Sequence, residues 1–224
     1  MAKDEKEIKE EGIEEEKESA KSAIFSWVKV IVIAVAIALF INFFIIVNSY
    51  VPTGSMETTI MSGSRMIGLR LSYIGSSPER GDVIIFKAPD DPSENFVKRI
   101  IGLPGETVEI IDGITYINGE ELDETSYVNE TYWNALDQAL STHEQILENA
   151  DTLTKANEEI SWENGIYNWG PYEVPEDSYF VMGDNRNNSS DSRYWTTTNY
   201  VSRDAILGKA VLVYYPFNKF GAIK

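Results

Sequence analysis

The chain has 224 residues and a formal net charge of -17, and it contains no cysteine. The missing thiol excludes cysteine nucleophiles, disulfide frameworks and cysteine zinc sites. The acidic balance argues against nucleic acid as a partner, since phosphate binding needs a basic footprint. The charge is also unevenly spread. Residues 1–22 hold 5 Lys against 9 Asp and Glu, and residues 120–178 hold 15 Asp and Glu against Lys155 alone. Both acidic blocks read as solvated surface.

Residues 1–22 are charged throughout and nearly free of large apolar side chains, so a solvated, disordered tail is expected. An apolar run follows. From Val30 to Val47 the 18 residues hold Asn42 as the only polar side chain. At about 1.5 Å rise per residue, this run and its flanks cross a hydrocarbon core of roughly 30 Å. Trp27 and Lys29 stand where an interfacial aromatic and a snorkelling cation belong. The run is longer than a secretory h-region and no A-x-A-like site follows it, so residues 23–48 read as an uncleaved signal-anchor. Lys21 and Lys29 precede it, and the next basic residue is Arg65. The positive-inside rule then puts the N-terminus in the cytoplasm and the rest outside.

Beyond the anchor the texture turns to β. Runs such as GDVIIFKA, NFVKRIIGL, DSYFVMGD and ILGKAVLVYYPF are short, rich in Val, Ile, Phe and Tyr, and bounded by Gly, Pro, Asn and Asp. In IIDGITYINGEEL, Asp112-Gly113 and Asn118-Gly119 signal two tight hairpins. Residues 134–153 carry Leu136, Leu140, Ile146 and Leu147 at helical spacing. The expected architecture is a mainly β, antiparallel core over 49–122 and 179–224. One N-terminal transmembrane helix precedes it, and a partly helical acidic insertion spans 123–178.

Three stretches carry candidate chemistry. In VPTGSMETTI, Ser55 follows Gly54, and Thr53 adds a second hydroxyl. The stretch reads either as a plain turn or as a nucleophile with oxyanion donors in the Ser55 N–H and the Thr53 hydroxyl. The only histidine, His143, lies in the acidic insertion and reads as a surface residue, so a Ser-His-Asp triad is not expected. In NFVKRIIGLPGE, alternation puts Phe96, Lys98 and Ile100 on one strand face and Val97, Arg99 and Ile101 on the other. Lys98 either snorkels outward or is buried; burial favours the neutral amine that a general base requires. The third stretch, MGDNRNNSSDSRYW, packs Asp184, Arg186, Asp191 and Arg193 among small polar residues. A calcium loop is excluded, because no Gly stands sixth from Asp184 and Trp195 occupies the place of the bidentate Glu. A turn locked by its own ion pairs and a loop that orients a catalytic base both remain.

Taken in order after an N-terminal anchor, PTGSM, RGDVIIF with FVKRIIGLPGE, and GDNRNNSSDSRYW resemble the bacterial type I signal peptidases. The likeness spans residues 24–120 and 179–217. It implies a single-pass membrane serine endopeptidase with a Ser-Lys dyad, which removes signal peptides from secreted preproteins after small-x-small sites. Ser55 matches the nucleophile, Lys98 the general base and Ser189 the serine that hydrogen-bonds the amine. Thr53 and the Ser55 N–H match the oxyanion hole. Asp184 with Arg99, and Asp191 with Arg193, match structural ion pairs. Val51, Met56, Ile60, Phe96 and Val97 match positions of the shallow substrate pockets. The implied partners are preproteins, the lipid bilayer and, by proximity, the secretion translocon; no metal or organic cofactor is implied. The chain departs from the pattern at Thr58, where Pro is common, at Asn187 for Asp and at Thr196 for Gly. A lysine at the base position argues against the archaeal and endoplasmic-reticulum variants, which carry histidine there. Two other readings are a self-cleaving or partner-specific Ser-Lys protease and a non-catalytic anchored β module.

Overall fold

A computed structural model of the chain describes residues 25–149, 152, 154, 155, 158 and 167–224. The expected acidic tail, 1–22, and part of the expected insertion lie outside the described residues. The chain divides into two units, Met1–Ile45 and Ile46–Lys224. In the first, helix α1 (Phe25–Ile45) is long and apolar enough to cross a membrane, and its last five residues, Ile41–Ile45, are wound as a π-helix.

The second unit is mainly antiparallel β. Its larger sheet orders β1 (Ile46–Tyr50), β2 (Arg65–Leu69), β11 (Ile206–Tyr215), β3 (Val83–Lys87), β4 (Asn95–Gly102), β9 (Ser178–Met182) and β10 (Val201–Ser202), with β12 (Gly221–Ala222) on β11. A smaller sheet orders β7 (Glu120–Glu121), β6 (Ile114–Ile117), β5 (Thr107–Ile111) and β8 (Trp169–Glu173). The two hairpins expected in the DG and NG stretches join β5 to β6 and β6 to β7. Asp112 and Gly113 have φ of 50° and 79°, and Asn118 and Gly119 have 52° and 82°. Two successive positive φ values match the strand twist, and Asn, Asp and Gly tolerate them best.

One apolar cluster packs Met56, Ile60, Met66, Ile85 and Val97 together. Another packs Phe86, Ile100, Val181 and Trp195. A third joins the two sheets through Ile101, Val108, Phe180 and Met182. Each such large side chain, fully buried, contributes roughly 1.5–3 kcal/mol.

Three sequence-drawn boundaries move. The anchor was expected over 23–48, but Ile46, Val47 and Asn48 belong to β1, paired with Leu69, Gly68 and Ile67 of β2. Val47 is apolar because it is buried in the β core, and hydropathy cannot tell that burial from a bilayer. The insertion drawn at 123–178 loses strand β8, which pairs with β5, and also Glu124, Val128 and Val174, all buried. The helix expected over 134–153 is α2 (Glu130–Asn149), with residues on to 158 helical where described. It starts four residues earlier than its aliphatic spacing suggested because Tyr132 packs inward with Leu136.

Candidate active site

Ser55 lies on the turn between β1 and β2. The ends of this turn are closed by Val51 N–H to the Ser64 carbonyl (2.9 Å) and Gly63 N–H to the Val51 carbonyl (2.8 Å). Met56 and Ile60, both wholly buried, pin the turn into the core, and the Ser62 hydroxyl donates to the Pro52 carbonyl at 2.9 Å. Ser55 is thus held on a fixed backbone and is only 6% exposed. The Thr53 hydroxyl donates to Ser55 Oγ at 3.4 Å, leaving it beside the oxygen that would attack.

Lys98 comes from β4, a central strand flanked by β3 and β9. The residue is 4% exposed, and Nζ donates to Ser55 Oγ at 2.7 Å. Burial pushes the amine down to about 8; the carboxylates of Asp191 and Asp184 pull it back up, and Arg193 adds to the depression. A neutral amine at that distance accepts the serine proton along the same line.

The loop after β9 holds the dyad from behind. The Asn185 N–H donates to the Ser55 carbonyl at 3.1 Å, and Asn185 Nδ2 donates to the Gly54 carbonyl at 3.0 Å. Thr59 Oγ1 donates to Asp184 Oδ2 at 2.5 Å. Arg99 donates to both oxygens of Asp184, Nε at 2.9 Å and Nη2 at 2.7 Å. Arg193 grips Asp191 the same way, at 2.9 Å on each oxygen, and the Gly183 N–H donates to Asp191 at 3.0 Å. Burial alone would raise the Asp191 carboxyl; Arg193 and these hydrogen bonds hold it below the usual carboxylate range. Gly183 makes the close approach possible, since a Cβ there would collide with Ser189 Oγ and the Ser55 carbonyl.

The expected residues therefore gather, with two differences. Ser189 lines the same cleft, but its buried hydroxyl makes no hydrogen bond of normal length to Lys98 or to any other group among the described residues. It still lies near enough to Asp191 to favour that carboxylate. The cleft, about 650 Å³, is lined by Val51, Phe96 and Val97 together with Thr53, Ser55 and Lys98. Met56 and Ile60, expected in the pockets, lie behind the wall, wholly buried in the core. A match of motif positions does not distinguish a pocket wall from the core beneath it. Asn185 and Gly183, and Glu124 as the partner of Arg186, are functional-site neighbours that motif spacing did not single out. Glu124 offers no local signal, because its partner is 62 residues away. His143 lies on α2 and pairs with Glu158 at 3.3 Å. Among the described residues no three His, Asp or Glu side chains converge to hold a metal ion.

A family model described as signal peptidase, peptidase S26, matches residues 24–215. The chain belongs to that family. As a member it is a serine peptidase, and the cleft around Ser55 is its candidate active site. Among its relatives, the signal peptidase I of Leptolyngbya laminosa is 35% identical over 211 residues, covering 91% of this chain and 86% of that protein. Signal peptidase I S of Bacillus subtilis is 37% identical over 202 residues, covering 90% and 94%. A crystal structure of a signal peptidase I from Enterococcus faecalis is 30% identical and covers 60% of this chain and 97% of its own, with a TM-score of 0.37.

Proposed function

We propose that this chain is a membrane-anchored endopeptidase that removes signal peptides from secreted preproteins by a Ser55–Lys98 dyad. The observation that carries this reading is the 2.7 Å contact between Lys98 Nζ and Ser55 Oγ, both residues buried at the cleft. The segment before the cleavage site lies extended in the cleft, main chain to main chain, with small −1 and −3 side chains against Val51, Phe96 and Val97. Neutral Lys98 takes the Ser55 proton as Oγ attacks the −1 carbonyl carbon. The Ser55 N–H and the Thr53 hydroxyl stabilise the resulting oxyanion. The Lys98 ammonium then protonates the leaving amine as the C–N bond breaks. Water, deprotonated by the same amine, attacks the acyl-enzyme and releases the signal peptide. The loop carboxylates Asp184 and Asp191, each locked to its arginine, keep the base in place, and Ser189 orients the amine when substrate fills the cleft.

Helix α1 anchors the enzyme in the bilayer, with its N-terminus cytoplasmic and the Ile46–Lys224 unit outside, on the side where preproteins emerge from the translocon. Enzyme and substrate then share one surface, which raises their encounter frequency.

The test is in vitro processing of a synthetic preprotein by the full-length chain in detergent. Cleavage after a small-x-small site is expected, with Ser55→Ala and Lys98→Ala each lowering the rate by on the order of 10⁴-fold while the fold persists. Processing by Lys98→Ala at the wild-type rate would remove the dyad from the mechanism.

A further inference from the structure

Glu124 sits in what the sequence presents as the edge of a solvated acidic insertion, yet it is 1% exposed. Its carboxylate accepts four hydrogen bonds. Arg186 grips both oxygens, Nη1 at 2.8 Å from Oε2 and Nη2 on Oε1. The Thr115 hydroxyl donates to Oε2 at 2.8 Å, and the Tyr127 hydroxyl donates to Oε1 at 2.9 Å. Arg186, 3% exposed, belongs to the loop that backs the dyad, directly after Asn185 and three residues before Ser189. Its carbonyl accepts from Arg193 Nη2 at 2.9 Å, and Arg193 is the partner of Asp191.

The same stretch, 124–129, also meets β4 through Tyr127 and the loop through Asn129. The Tyr127 ring lies 4.3 Å from the Arg99 guanidinium, which pairs with Asp184. The Asn129 N–H donates to the Asp184 carbonyl at 3.3 Å. The charged groups that bear on Lys98 are Asp191, Asp184 and Arg193, all on this loop. Glu124 and Arg186 connect to the dyad through the loop backbone, where Asn185, next to Arg186, holds the Ser55 and Gly54 carbonyls.

A buried carboxylate–guanidinium pair is a poor way to gain stability, because an apolar pair of the same volume often does as well or better. What the pair does supply is one fixed arrangement of two bidentate groups. We propose that Glu124 is a positioning residue for the Ser55–Lys98 pair: by clamping Arg186 it fixes the loop backbone that holds Ser55 from behind and sets the carboxylates facing Lys98. The stretch 124–129 is then part of the catalytic core. This inference rests on the peptidase reading above.

The experiment uses the full-length chain in detergent and compares wild type, Glu124→Gln, Glu124→Asp and Tyr127→Phe, with Ser55→Ala as the inactive control. Two quantities are read on the folded fraction: kcat and KM for a synthetic preprotein across pH, and the pH dependence of Lys98 acetylation by acetic anhydride, followed by mass spectrometry. For Glu124→Gln, kcat should fall by ~30-fold, with KM changed less than about threefold, because ångström-scale misplacement of reacting groups costs up to about a hundredfold. The midpoint of Lys98 acetylation should move as well. Glu124→Asp, which keeps the charge, should recover part of the rate, and Tyr127→Phe should lose about threefold. A folded Glu124→Gln protein with wild-type kcat and a wild-type acetylation midpoint overturns the proposal and leaves the pair a purely structural one. If Glu124→Gln does not fold, wild-type values for Tyr127→Phe overturn it equally. If the wild-type chain cuts no preprotein, the peptidase reading fails, and the acetylation midpoints still decide whether Glu124 sets the surroundings of Lys98.

Discussion

Replacing Lys98 by methionine should make the protein more stable while making it inactive. In the folded chain burial holds the Lys98 amine near 8, against 10.5 for an ordinary lysine. Below pH 8 the amine is protonated in both folded and unfolded chains, and the folded state carries the full cost of a desolvated ammonium. At 1.36 kcal/mol per factor of ten, that cost is about 3 kcal/mol. Methionine has a similar volume and no charge, but it gives up the hydrogen bond to Ser55, worth about 1 kcal/mol. A net gain of about 2 kcal/mol at pH 7 follows, or about 4–8 °C in Tm for a domain of this size. The gain must depend on pH in a definite direction. Between pH 8 and 10.5 the unfolded lysine binds more protons than the folded one, so the wild type gains stability as pH rises and the gap narrows. Urea unfolding of the full-length chain in detergent, followed by tryptophan fluorescence at pH 7, 8.5 and 10, measures it. A methionine variant no more stable than wild type at pH 7, or a gap that stays constant to pH 10, would refute the idea that Lys98 is held deprotonation-prone by burial.

The same burial sets the rate profile. At pH 7 about one chain in eleven carries the neutral amine, against about one in three thousand for an unperturbed lysine, so kcat/KM for preprotein processing should rise with pH to a midpoint near 8. A profile flat from pH 6 to 10 would contradict a titrating Lys98. Gly183→Ala should lower kcat by about tenfold or more, because the added Cβ collides with Ser189 Oγ and the Ser55 carbonyl and pushes the loop off the nucleophile; steady-state kinetics on the folded variant decides it. Asp184→Asn leaves the Arg99 guanidinium, 3% exposed, without its carboxylate, and should destabilise the chain by about 3–5 kcal/mol in urea unfolding. A loss under 1 kcal/mol would mean that Arg99 has found another counter-charge.

Much of this protein is written in local sequence. The apolar run that forms α1, the β-branched strands, and the two hairpins whose Asp-Gly and Asn-Gly pairs take positive φ are all set by neighbouring residues, so reading along the chain finds them. The order of the three polar motifs also points to Ser55, Lys98 and the loop beside them. Burial was decided elsewhere. Only the stacking of β4 between β3 and β9 determines that Lys98 is enclosed and 2.7 Å from Ser55 rather than snorkelling outward. Only the docking of the turn on the core sends Met56 and Ile60 behind the cleft wall. Val47 reads as membrane and is a core strand residue, while Glu124 reads as solvated surface and is buried against an arginine 62 positions along. Hydropathy and spacing are sums over neighbours in the chain. The dielectric around a side chain, and hence its charge and its chemistry, is a sum over neighbours in space.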